Sequence, residues 1–106
     1  MIGSTGIRIK ACIELLASTS GGRMLPVRGS YRPNHNFGGP NSHEFEIGFL
    51  DFPEGEFLSP GESKEMEITL WMRSGLVESI SPGKKWRIQE GHQLMGFGIV
   101  LEVLPD

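Results

Sequence analysis

Apolar and polar residues alternate along much of this chain, and the period is two. In "IRIKACIEL" (7–15), Ile7, Ile9, Ala11, Ile13 and Leu15 fall on one parity, with Arg8, Lys10, Cys12 and Glu14 on the other. Successive side chains of a strand point to opposite faces, so this run predicts a strand with one face in a core. "KEMEITLWM" (64–72) repeats the pattern, with Met66, Ile68, Leu70 and Met72 expected inward. "HEFEIGF" (43–49) predicts another such strand, with Phe45, Ile47 and Phe49 inward and Glu44 and Glu46 outward. The final run, "LMGFGIVLEVL" (94–104), is apolar at both parities, so its middle is expected to be covered on both faces. Gly96 and Gly98 share one face there, where a bend or a close neighbour would need room.

Turn signals separate these runs at regular intervals. "SPGES" (59–63) and "SPGKK" (81–85) share Ser-Pro-Gly. Proline presets φ at the first corner of a type II turn, and glycine accepts positive φ at the second. "EGHQ" (90–93) reads as a tight hairpin between "KWRI" and the last strand. "SGLVESI" (74–80) predicts at most one helical turn, and no stretch predicts a helix of three turns. The fold class expected is all-β: a single domain, 1–106, formed as a small closed six-stranded antiparallel barrel, with a sandwich as the alternative.

Bulk properties narrow the function. A chain of 106 residues, 38% of them apolar, can bury enough surface to fold without staples. The lone cysteine, Cys12, allows no intrachain disulfide, and with no signal-peptide pattern in "MIGSTGIRIK" it points to the cytoplasm. No apolar run nears the roughly 18 residues that a membrane span needs. The net charge of −3 argues against a dedicated nucleic-acid binder, but its distribution is uneven. Residues 1–40 carry five basic residues (Arg8, Lys10, Arg23, Arg28, Arg32) against Glu14, while 41–106 are strongly acidic. Such a split either leaves one surface attractive to phosphate or is a solvated surface of mixed sign. There is no phosphate-cradling P-loop and no nucleophile elbow, so neither GTP binding nor catalysis is expected. His35, His43 and His92 lack the spacing of a zinc site, so no metal or other cofactor is expected.

Several stretches, in order, fit one family. They are "GGRMLP" (21–26), "YRPNHNF" (31–37), "PEGEFLSPGES" (53–63) and "WRIQEGHQLMGFGIVLEVL" (86–104). Over about residues 7–104 the chain resembles the C-terminal barrel, the third domain, of bacterial elongation factor Tu. That domain is a six-stranded antiparallel barrel that contacts the T-stem of aminoacyl-tRNA, packs on the GTPase domain and meets the exchange factor. The resemblance therefore implies a non-catalytic module that binds tRNA or a translation-related protein. The motif is shared at Tyr31, Arg32, Pro33 and Phe37, whereas His35 and Asn36 stand where the family has Phe-Tyr. Two departures weaken the RNA expectation. "GGPNSHE" (38–44) lacks the family's arginine, and "QEGHQL" (89–94) lacks both arginines flanking the hairpin. Because each neutralised phosphate adds to affinity, any tRNA binding is expected to be weak.

Candidate RNA contacts are Arg23, Arg28, Arg32, His35, Glu90, Gly91 and His92. Arginine suits them because its guanidinium forks onto phosphate, although "YRP" serves equally as scaffold at a barrel end. Gly91 is required by the turn in either case. The alternative is protein binding or self-association through the barrel's old docking face. There Trp71, on the outward parity of its strand, either anchors a partner or covers the barrel's second side.

Overall fold

The computed structural model describes residues 4–73 and 75–105. Met1 to Gly3 of the leader reading, and Ser74 at the start of "SGLVESI", lie outside them. The fold is all-β. Nine strands follow in chain order: β1 (Ser4–Leu15), β2 (Val27–Arg28), β3 (Ser30–Tyr31), β4 (Asn34–Asn36), β5 (Ile47–Asp51), β6 (Phe57–Leu58), β7 (Ser63–Arg73), β8 (Lys85–Glu90) and β9 (Gln93–Val103). Two single 3-10 turns occur, at Ser18–Ser20 and at the expected place, Val77–Ser79.

Seven strands form one antiparallel sheet in the order β3-β5-β7-β1-β9-β8-β4, and β2 pairs with β6 beside it. The long strands β1, β7 and β9, eleven or twelve residues each, form the middle of the sheet. Twist and two bulges, at Lys10/Ala11 and Ile88/Gln89, curl the sheet into a half-barrel. The expected closed six-stranded barrel is not formed. The two flanks meet at a single bridge, His35 opposite Glu46, rather than along a ladder. "GPNSHE" before β5 is irregular, so only one residue of each flank comes into pairing position.

The core lies on the concave side. Ile9, Ala11, Ile13, Leu15, Ile68, Leu70 and Met72 are buried, as the alternation of β1 and β7 predicts. Both Ser-Pro-Gly turns also form, with Gly61 and Gly83 at φ +89 and +93 and hydrogen bonds from Glu62 N to Ser59 O and from Lys84 N to Ser81 O.

Two expectations of facing fail. Along β5 and the bridge residue before it, the inward set is Glu46, Gly48 and Leu50, while Ile47 and Phe49 point outward. Shifting a strand by one residue exchanges its faces, and here packing chose the register. A Cβ at Gly48 would lie 2.7 Å from Leu70 Cδ2 and 3.0 Å from His35 Nε2, so only glycine fits inward at that point. The second failure is on β9, whose middle is not covered on both faces. Gly96, Gly98 and Val100 face inward; on the other parity Met95 is buried and Phe97 half-buried, but Ile99, Leu101 and Val103 are each about two-fifths exposed. The two glycines do make room for close neighbours: a Cβ on Gly98 would strike the Trp86 indole, and one on Gly96 the backbone of Glu14.

Candidate functional site

The hairpin 90–93 and the segments packed against it form the site to which most candidate residues belong. Gly91 takes φ +60 and His92 does not take positive φ, as in a two-residue type II′ turn. An L side chain at Gly91 would meet no atom within 4 Å. Gly91→Ala is therefore a test of backbone conformation alone. It should cost about 1 kcal/mol, or roughly 5 °C in Tm by thermal denaturation. A loss below a third of that would show that the turn does not require glycine.

Every polar residue of "YRPNHN" except Arg32 ties β3 or β4 to this hairpin or to β8. The Tyr31 hydroxyl donates to Glu90 Oε2, and Asn34 Nδ2 donates to Gly91 O. Asn36 Nδ2 donates to Gln89 Oε1 at 2.7 Å, and Gln89 Nε2 donates onward to Gly91 O. Burial, followed by the hydrogen bond to Glu90, holds the Tyr31 hydroxyl well above the usual range, so it remains a donor. The run is scaffold, and what it positions is the hairpin.

His35 is corrected by the structure. It is fully buried and cannot reach a ligand, because β4 turns its side chain into the core. Trp86 Nε1 donates to His35 Nδ1 at 3.0 Å, and His35 Nε2 lies 3.0 Å from Gly48 O. An indole N–H can only donate, so the imidazole is neutral and carries its proton on Nε2.

Arg23 and Glu90 do come together, but as partners of one another. Arg23 Nε lies 3.1 Å from Glu90 Oε2, and its guanidinium carbon sits 5.3 Å from the centre of the Tyr31 ring. The carboxylate engages only Nε and the ring only the guanidinium face, so the ion pair offsets the charge of Arg23 while its Nη2 donors have no partner among the described residues. Arg28 lies next along, on β2 opposite Phe57. A cleft of about 440 Å³ runs between them, lined by Arg23, Leu25, Pro26, Arg28 and Phe57. Arg28 and Arg32 are exposed, and neither joins an ion pair among the described residues. His92 packs against His43, from the segment before β5. Trp71 is elsewhere, on β7, with β1 and β9 between it and β8.

The basic first third of the sequence is not a basic surface. Arg8 pairs with Glu67, Lys10 with Glu65 and Arg23 with Glu90, so acids from the rest of the chain face three of its five cations. The first two are β1–β7 cross-strand neighbours, which charge balance along the sequence cannot reveal.

One polar cluster has no sequence signal beyond its glutamates. Glu46 is 3% exposed, and its carboxylate accepts from Arg73 N, Nε and Nη2, the last at 2.6 Å. Arg73 Nη1 also pairs with Glu44 at 2.8 Å. These hydrogen bonds raise the Arg73 guanidinium further above its ordinary value and fix it as a cation. Among the described residues, no group of three or more His, Cys, Asp or Glu is arranged to hold a metal ion. Among the described residues no helix is long and apolar enough to cross a membrane. No protein-family model matches the chain.

Proposed function

We propose that this chain is a non-catalytic binding module of the elongation-factor-Tu C-terminal type. In this reading it docks a translation-related protein, in the cytoplasm, through the outer face of β5 and β7. The observation that carries the reading is the pair Ile47 and Trp71, directly opposed across β5 and β7 and 45% and 48% exposed. Phe49 extends the same face at 42% exposure. The indole is laid flat over β1, where a Cβ at Gly6 would come within 2.7 Å of it. An aromatic fixed on a rigid sheet loses little entropy on docking, and such tryptophans are frequent interface anchors. Arg8, Asp51 and Glu67 edge the adjoining cleft of about 270 Å³, giving a rim of both signs around the apolar centre.

RNA binding is the second reading, favoured only by exposed Arg28 and Arg32. The two separate in one experiment, an NMR titration of the labelled protein with the GTPase domain of elongation factor Tu and, separately, with aminoacyl-tRNA. The expected result is a shift of the Trp71 indole and of the Ile47 and Phe49 amides with the protein ligand. Trp71→Ala should weaken that binding at least tenfold, about 1.4 kcal/mol or more. A silent Trp71, with tRNA shifting Arg28, Arg32 and 90–93 in a salt-sensitive way, would overturn the proposal in favour of RNA.

A further inference from the structure

His43 and His92 are distant in sequence and meet only in the folded chain. His43 precedes β5, and His92 is the second residue of the β8–β9 turn. Both are exposed, their ring centroids are 5.0 Å apart, and their planes are inclined by 80°. Phe45 packs against His92, with ring centroids 5.8 Å apart. Neither imidazole donates to or accepts from another side chain or backbone group among the described residues, unlike His35, whose two nitrogens are both engaged.

The separation of the rings has a chemical meaning. A metal–imidazole bond of about 2.1 Å puts the ring centroid roughly 3.2 Å from the ion. At a tetrahedral angle two such centroids are then about 5 Å apart. The observed 5.0 Å fits that separation, and since the rings now meet edge to face they would rotate about their side-chain bonds, which their exposure allows, to present one nitrogen each to a shared ion. Imidazole donors select borderline cations such as zinc, nickel and copper over calcium or magnesium.

We propose that His43 and His92 form a two-imidazole site for a divalent transition-metal ion. Water or a donor from a binding partner fills its remaining positions. The ion would staple the hairpin to the segment before β5, two elements otherwise in contact there through side-chain packing. It would also add positive charge beside Gly91, where the sequence lacks the family's arginines. The inference is independent of the docking reading, which concerns β5 and β7.

Zinc chloride titrated into the full chain, followed through histidine ring resonances and by calorimetry, tests it. One ion per chain is expected, shifting His43 and His92 together and leaving His35 unmoved. His43→Gln and His92→Gln should each weaken binding at least tenfold, and the double variant should lose little more, because either change alone ends chelation. Magnesium chloride should produce no shift. Single variants that keep wild-type affinity, or ring shifts confined to one of the two histidines, would overturn the site. So would the absence of zinc binding at micromolar concentration. Both variants change exposed residues, and the unchanged amide spectrum of the core would verify that each folds.

Discussion

Arg73→Met is expected to destabilise the protein by about 3 kcal/mol, measured as a lowered midpoint in urea with an unchanged slope. The loss arises at Glu46 rather than at Arg73. Glu46 occupies an inward position of the seam with its carboxylate almost wholly removed from water. Arg73 supplies its countercharge and, with its own backbone N–H, its hydrogen bonds. Removing the guanidinium leaves a buried charge without compensation, whereas removing both charges leaves no such debt. Glu46→Leu combined with Arg73→Met should therefore recover most of the stability, because a buried pair often stabilises no more than an apolar pair of equal size. A fall below 1 kcal/mol in the single variant, or a double variant worse than the single, would show that the carboxylate is reached by water. Glu44 is the internal control. It contacts the same guanidinium from an exposed position, so Glu44→Ala should cost only a few tenths of a kcal/mol.

Acid should weaken the fold through His35 over a defined range. Burial pushes its imidazole from the ordinary 6.5 down to about 4, opposed in part by the Gly48 carbonyl and by Glu46. Above about pH 6.5 the ring is neutral in folded and unfolded chains alike, and it adds no pH dependence. Between 6.5 and 4 the unfolded chain takes up a proton that the folded one refuses, so stability declines as pH falls, and it levels off below about 4. The full decline is worth roughly 3 kcal/mol. Protonation would also turn the Nδ1 acceptor into a donor facing the Trp86 N–H, so the cost has a local geometric cause. His35→Gln keeps an acceptor for Trp86 and a donor for Gly48 but does not titrate. Urea midpoints of the two proteins, compared from about pH 7 to about pH 4, should converge by roughly that amount. Parallel curves would mean that the buried imidazole is already protonated or is hydrated.

The seam explains both effects and was the part of the molecule least legible in the sequence. Alternation in "IRIKACIEL" and "KEMEITLWM" determined β1 and β7 and their core faces, since a run of nine residues with one apolar parity has only one way to bury it. Ser-Pro-Gly and Glu-Gly-His determined their turns for an equally local reason, the φ values that proline and glycine allow. In "HEFEIGFLDF" both parities are apolar enough to face a core, with Phe45, Ile47 and Phe49 on one and Gly48, Leu50 and Phe52 on the other. The choice fell to contacts from elsewhere: Leu70 and His35 needed the space at Gly48, and Arg73 made an inward Glu46 tolerable.

The candidate site divided in the same way. Arg23, Glu90 and Gly91 stood in the sequence only as separate candidate contacts, and the folded chain showed that Arg23 is held by Glu90 and Tyr31. His35 was indistinguishable in sequence from an exposed ligand, and its role is set by an indole fifty-one residues away. Thus the sequence by itself determined what depends on neighbours along the chain: the long strands β1 and β7 with their facing, and the turn types. The tertiary structure decided the register of β5, the pairing of charges between thirds of the chain, and which histidines are sealed in or left open. Those outcomes turn on free-energy differences between residues remote in sequence, which no local pattern records.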